Sequence, residues 1–304
     1  MPIKGLKGGI GTKPLGYGLG GAAGEATDSN FNQTVLLLHG DGSEGEGNTA
    51  ALGDPNYKAF RDNSSANNQI ILQGGAYGND FSPYYYANGY WSNLFDASGD
   101  SFTIPASSDF NFGTGPFTIE LFVYFTNSVG SGTLIGQSGF GSVLQLQANG
   151  YFQYYDINTA SYLLTGGVTA SKNTWTHVVV QRDASNNLDL FINGTRQVTT
   201  TSTATLGFTN AQNLTIHSWN GNISPNQTYY SNIRIIKGSS VYTSGSSITV
   251  PTTPFTDPSV AGEMAVLFDG TGDNLQLATS ADWAFGTGDF TIEMWVYAVK
   301  TTEQ

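Results

Sequence analysis

Cysteine is absent from the 304 residues, so neither a disulfide framework nor thiol chemistry serves the fold or the function. Positive charge is scarce: 11 Lys and Arg stand against 23 Asp and Glu, a net charge of −12. That balance lacks the basic footprint that nucleic acid demands. The one basic cluster is Lys4, Lys7 and Lys13, at the very start. No apolar run reaches membrane length, and the opening MPIKGLKGGIGTKPLGYGLGG has no hydrophobic segment of the signal-peptide type. The expectation is a chain that meets neither nucleic acid nor membrane and stays in the cytoplasm where it is made, unless something else carries it out. A sustained 3.6-residue apolar period is also missing, which predicts little helix.

What is there is glycine, threonine, serine and asparagine, with 18 Phe and 16 Tyr. That mixture favours short strands and tight turns. TVLLLHGDG (34–42) reads as a strand ending in a turn, and FRDNSSANNQIIL (60–72) as a turn and a strand. YWSNLFDASGDSFTIP (90–105) reads as strand, turn, strand. FTIELFVYF (117–125) alternates strictly, with Phe117, Ile119, Leu121 and Val123 on one face and Thr118, Glu120, Phe122 and Tyr124 on the other. The first set is expected to face a core, so that Ile119→Asp is costly and a change at Thr118 costs far less. GTLIGQS, SVLQLQAN and GYFQYYDI follow at hairpin spacing. The segment 174–197 reads as a long hairpin, its first turn at Asp183–Asn187 and its second at Asn193–Gly194, a type I′ signal. Strands at this density predict an all-β, antiparallel two-sheet sandwich.

A repeat is the most informative feature. FDASGDSFTIPASSDFNFGTGPFTIELFVYF (95–125) aligns without gaps on FDGTGDNLQLATSADWAFGTGDFTIEMWVYA (268–298). Asp96, Gly99, Asp100 and Glu120 thereby match Asp269, Gly272, Asp273 and Glu293. The expected organisation is a glycine-rich arm at 1–30, one sandwich at 31–255, a Pro/Thr-rich linker at 256–262, and the opening strands of a second, incomplete module at 263–304. Either further modules follow Gln304, or the last strands add to another domain or subunit.

The order FDASGD, FGTGPFTIELFVYF, TWTHVVVQRDASNNLDLFINGTRQ, NLTIHSWNG, NIRIIKG resembles the laminin-G-like, concanavalin A-like jelly-roll domains. Trp175, His177, Asn193, Gly194, Arg234 and Ile235 occupy the places of that family's motifs. The ending NIRIIKGSSVYTSGSSITVPTTPF is similar to modules in structural proteins of tailed bacteriophages, marine ones especially. There an RI-KG-x-x-x-Y strand leads to a P-T-x-P-F exit. The resemblance implies a jelly-roll sandwich and a virion structural protein: a fibre, appendage or capsid decoration displaying lectin-like modules.

Candidate chemistry follows in three parts. Jelly-roll glucanases need closely placed carboxylates, typically E-x-D-x-x-E, and no such run occurs. Glu120 is alone on its strand, as Glu293 is on the copy. His39, His177 and His217 lie on separate strands without zinc spacing, and His177 reads as a packed core histidine. No enzyme is expected. No cofactor is required, and the one candidate is Ca²⁺, which the family often holds near a sandwich rim. Asp96 and Asp100 in the FDASGD turn are the site residues for it, with Asp41, Glu44 and Glu46 as others. The rival reading is an ordinary turn in which the carboxylate bonds its own backbone. Sugar binding needs an aromatic face and amides. Trp219, Asn220 and Asn222 in HSWNGNISPNQTYY, with Tyr85 in SPYYYANGYW, are the candidates; the alternative is that Trp219 and the tyrosines cap the open ends of the sandwich.

The arm is read either as a disordered tail or as an anchor ordered along a partner. Lys4, Lys7 and Lys13 would meet an acidic docking surface, and Leu6, Ile10, Leu15, Tyr17 and Leu19 would act as apolar pegs. The expected partners are other virion proteins through this arm, copies of the same chain in a homo-oligomer, and a host surface glycan or protein. A carbohydrate-binding adhesion module of a bacterial surface protein is the alternative.

Overall fold

The computed structural model describes residues 28–40, 62–79, 81–84, 92–96, 99–127, 129–137, 141–208, 212–219, 222–255, 286–287 and 291. The arm residues 4–19, the acidic loop 41–46 and the repeated strands at 263–304, apart from those last three positions, lie outside the described residues. Among the described residues nineteen strands run in chain order as β1 (Thr34–Leu38), β2 (Ile71–Gln73), β3 (Tyr77–Asn79), β4 (Ser92–Phe95), β5 (Ser101–Ile104), β6 (Asn111–Gly113), β7 (Phe117–Phe125), β8 (Gly132–Gln137), β9 (Ser142–Leu146) and β10 (Tyr151–Asp156), then β11 (Ser161–Thr169), β12 (Thr176–Arg182), β13 (Asn187–Ile192), β14 (Thr195–Thr201), β15 (Leu206–Gly207), β16 (Leu214–Ile216), β17 (Ser218–Trp219), β18 (Asn222–Ile223) and β19 (Thr228–Lys237). Helix among the described residues is limited to two single 3₁₀ turns, Phe31–Gln33 and Ser108–Phe110.

Among the described residues two large antiparallel sheets result, with the two-stranded pairs β6–β15 and β17–β18 beside them. The eight-stranded sheet has the order β14-β13-β12-β7-β19-β4-β3, with β1 also on β19; the seven-stranded sheet has the order β11-β10-β9-β8-β16-β5-β2. The β12–β13–β14 run is the long hairpin read from sequence. Asp183 closes its first turn by accepting the N–H of Ser185 at 2.8 Å and of Asn187 at 2.9 Å. Asn193 and Gly194 make the second with φ of +48° and +78°, the left-handed pair a type I′ turn needs. A side chain at Gly194 would also strike the carbonyl of Ile248.

The core lies between the sheets and contains Phe117, Ile119, Leu121, Val123 and Phe125 of β7, with Val178, Val180, Leu190, Phe152, Tyr154 and Ile235. The turn after β4 does not close a hairpin. It carries the chain from the eight-stranded sheet to the seven-stranded one, since β4 pairs β19 and β3 whereas β5 pairs β16 and β2. At one end of the sandwich Arg182, fully buried, donates to the carbonyls of Gly113, Gly115 and Ala204 at 2.6–3.0 Å. Carbonyl dipoles accept these bonds, and the guanidinium also lies over the Phe117 ring, 5.5 Å from its centroid.

The other face of β7 departs from expectation. Thr118 and Glu120 are as buried as Ile119, each 0% exposed, and Phe122 is 4% exposed. The reason is a strap, residues 239–255, that leaves β19 and crosses the outside of the eight-stranded sheet. Val241 N–H donates to Thr118 Oγ1 at 3.1 Å, Tyr242 exchanges two bonds with Gln181, and Ile248 N–H reaches the carbonyl of Gly194. From Thr118 to Phe122 alternation in β7 therefore separates a core face from a second buried face; Tyr124, further along, stays half-buried.

Candidate functional site

Under the strap lies a cluster of ionisable side chains. Glu120 is joined at Oε2 by Arg234, through Nη2 at 2.6 Å and Nε at 3.2 Å. His177 Nε2–H donates to Oε1 at 2.8 Å, and the Tyr242 hydroxyl donates to the same oxygen. Arg234 Nη1 reaches Asp28 at 2.7 Å, and its guanidinium rests on the Phe255 ring, 3.9 Å from the centroid. Burial alone would push the Glu120 carboxyl up; the Arg234 guanidinium and the His177 bond outweigh it and hold the pKa down at about 2. The Tyr242 and Tyr84 phenols are pushed up by burial and by the Glu120 charge.

A β-bulge makes the cluster possible. Tyr229 pairs with Tyr124 and Ser231 with Phe122, but Arg234 pairs with Glu120, one residue later than a regular register gives. Asn232, at φ +47°, absorbs the extra residue, and its Oδ1 receives His39 Nδ1 at 3.1 Å. Without the bulge an isoleucine, Ile233, would stand opposite the carboxylate. The signal was present in sequence as the spacing of the buried residues Tyr230, Ile233 and Ile235, three and then two. Arg234 was read as a family position in one motif with Tyr242, and its partners Glu120 and Asp28 were not connected with it. The cluster is closed from water and works as a clamp that fastens strap to sheet.

The predicted site residues separate. Asp100 is 1% exposed, and its two oxygens accept the N–H of Gly75 at 2.5 Å and of Asp96 at 2.9 Å, stitching β2–β3 to the crossing turn. Asp96 itself is exposed. Among the described residues no group of three or more metal-ligating side chains is assembled. Trp219 is half-buried, its ring 3.5 Å from where a side chain at Gly136 would begin, beside Val143 on the outer face of the seven-stranded sheet. It pairs with Asn222 in the β17–β18 hairpin. Tyr85, Asn220 and the Asn222 side chain lie outside the described residues. His177 is buried as expected, but as a donor to Glu120. His217 is also buried, against Phe95 and 3.1 Å from the Tyr230 hydroxyl, and burial holds its pKa down at about 3.

Two antiparallel sheets wrapped on one core in this order define a jelly-roll sandwich of the lectin type. Residues 96–239 match the family described as the Concanavalin A-like lectin/glucanases superfamily. No curated protein matches the chain. Among solved structures it is similar to the binding domain of Paraclostridial Mosquitocidal Protein 1, at 14% identity and TM-score 0.50, covering 69% of this chain and 50% of that one. It is equally similar to the binding domain of botulinum neurotoxin DC, solved in complex with rat synaptotagmin II, at 14% identity and TM-score 0.50 over 70% and 50% of the two chains. The chain spans about half the length of these binding domains. At such identities the likeness is one of fold.

Proposed function

We propose that the protein is a non-enzymatic virion structural protein of fibre, appendage or capsid-decoration type, anchored by its N-terminal arm and presenting a lectin-like sandwich to a surface. The observation that carries this reading is the physical role of the phage-like ending. The residues of its RI-KG-x-x-x-Y and P-T-x-P-F elements are Arg234, Tyr242 and Phe255, and these three build the clamp over Glu120. In this chain the motif residues work together, which supports reading the ending as one unit.

The absence of an enzyme in this proposal rests on what Glu120 does. A glycosidase carboxylate must reach a glycosidic oxygen or a water. Glu120 is 0% exposed and is committed to three side chains. The alternative, a carbohydrate-binding adhesion module of a bacterial surface protein, draws on the same fold and on its likeness to receptor-binding domains.

Immunogold labelling of purified particles with an antibody to residues 31–255 separates the two. Labelled particles that lose the protein when residues 2–26 are deleted support the proposal. Label confined to a host envelope fraction overturns it in favour of the adhesion module. The deletion stops short of Asp28, because Asp28 is a partner of Arg234.

A further inference from the structure

The strap does not cover the whole outer face of the eight-stranded sheet. Beyond Glu120 comes Phe122, on which Tyr84 lies edge-on at 5.4 Å. Beyond Phe122 the pairing sets one row across neighbouring strands. Tyr77 pairs with Leu94, Leu94 with Tyr229, and Tyr229 with Tyr124, while Trp175 immediately precedes the residue opposite Val123. Side chains at one height on adjacent strands share a face, so the register alone assembles an aromatic row.

Phe81 sits on this row. Its ring stacks on Trp175 at 5.2 Å and meets Tyr124 at 4.7 Å and Tyr229 at 5.1 Å edge-on. Its backbone is fixed from both sides, N–H to Asn79 Oδ1 at 2.9 Å and carbonyl to Ser92 Oγ at 2.5 Å. Phe81, Tyr124, Trp175 and Tyr229 each keep part of their surface in water. A fold that buries Phe117, Phe125 and Phe152 completely has room for apolar rings inside, so an aromatic group held rigidly at the surface marks a contact site. The indole Nε1–H of Trp175 is buried beneath this group, so Trp175 contributes its ring and not its N–H.

We propose that this row is a carbohydrate-binding shelf for neutral hexopyranose units, a reading that deepens the lectin-like presentation proposed above and rests on it. Aromatic faces take the apolar C–H patch of a pyranose ring. The phenol hydroxyls of Tyr77, Tyr124 and Tyr229 offer hydrogen bonds to its hydroxyls. Charge selects within sugars. None of the row's residues is charged, and the chain as a whole carries −12, so an anionic glycan finds repulsion and no counter-charge in the row. The shelf lies on the sheet opposite Trp219, so it is a different surface from the one that carries Trp219.

The test is ligand-observed saturation-transfer NMR on the full chain with cellotriose, maltotriose, lactose, chitotriose and 3′-sialyllactose as probes. At least one neutral probe is expected to bind, more tightly than sialyllactose. Phe81→Ala and Tyr229→Ala each weaken it about tenfold or more, as loss of a stacking ring does, while both variants still melt cooperatively well above the assay temperature. Phe81→Leu, which keeps apolar bulk without the ring, loses binding as well. Tyr162→Ala, an exposed tyrosine on β11 of the other sheet, leaves binding intact. Binding that survives all shelf substitutions, preference for the sialylated probe, or no binding by any neutral probe overturns the proposal. So does a dimer, seen by light scattering, that the shelf variants dissociate, since the row would then join copies of the chain. Particles that carry the protein while it ignores every sugar leave the virion reading standing and remove only this one.

Discussion

Replacing Arg234 with leucine tests the clamp most directly. The substitution keeps apolar contact with Phe255 but leaves Glu120, at 0% exposure, with His177 and Tyr242 as its remaining donors. Breaking one side of a buried ion pair costs about 3–5 kcal/mol. The pKa of Glu120 gives an independent scale. It stands at about 2 in the fold against 4.5 for an ordinary glutamate, and at ~1.4 kcal/mol per unit this difference is worth about 3 kcal/mol. Urea unfolding at pH 7 should show a loss of that order. The pH profile should also change sign. In the parent chain the Glu120 contribution is whole above pH 4.5 and drains as pH falls toward 2. In Arg234→Leu burial is no longer outweighed, the Glu120 pKa rises above 4.5, and mild acidification stabilises the variant relative to the parent. Glu120→Leu/Arg234→Leu should recover part of the loss, because no charge is left buried. A single-variant loss below about 1 kcal/mol, the size of a surface pair, refutes the clamp, as does a pH profile parallel to that of the parent.

Other outcomes follow from neighbouring geometry. His217 titrates at about 3 in the fold and 6.5 outside it, so the unfolded chain binds more protons between these values. Stability is therefore whole above pH 6.5 and falls toward pH 3; His217→Asn should flatten urea midpoints across that window, and an unchanged slope would remove His217 as the cause. Thr118→Asp should destabilise to the same order as Ile119→Asp, because both sites are closed from water; a near-neutral Thr118→Asp would mean that the strap does not pack. Asp100→Ala should lower the melting temperature by unfastening Gly75 and Asp96, while EDTA leaves the parent unchanged, since both oxygens already accept N–H groups. A fall with EDTA that Ca²⁺ reverses would instead make Asp100 a metal ligand.

Strand positions, turn types and the core face of β7 were legible in the sequence because each depends on neighbours in the chain. Alternation places Ile119 and Leu121 on one face whatever the rest of the molecule does, and Asn193–Gly194 has the residue types that tolerate positive φ. The two-sheet sandwich followed from strand density, and its lectin-like character from the resemblance of its motifs to a known family. What alternation could not tell was the environment of the opposite face. Thr118 and Glu120 look like a solvent pattern, and become a second interior only because residues more than a hundred positions later fold back across them. Glu120 likewise stood alone in sequence. Its partners at 177, 234 and 242 reach it through sheet pairing, a one-residue bulge and a strap, none of which is a local property. The aromatic row has the same origin: Tyr77 and Phe81, Tyr124, Trp175, and Tyr229 come from four separate stretches of chain. Sequence supplied the rings; strand register set Tyr77, Tyr124 and Tyr229 at one height, and the loop after β3 laid Phe81 on them.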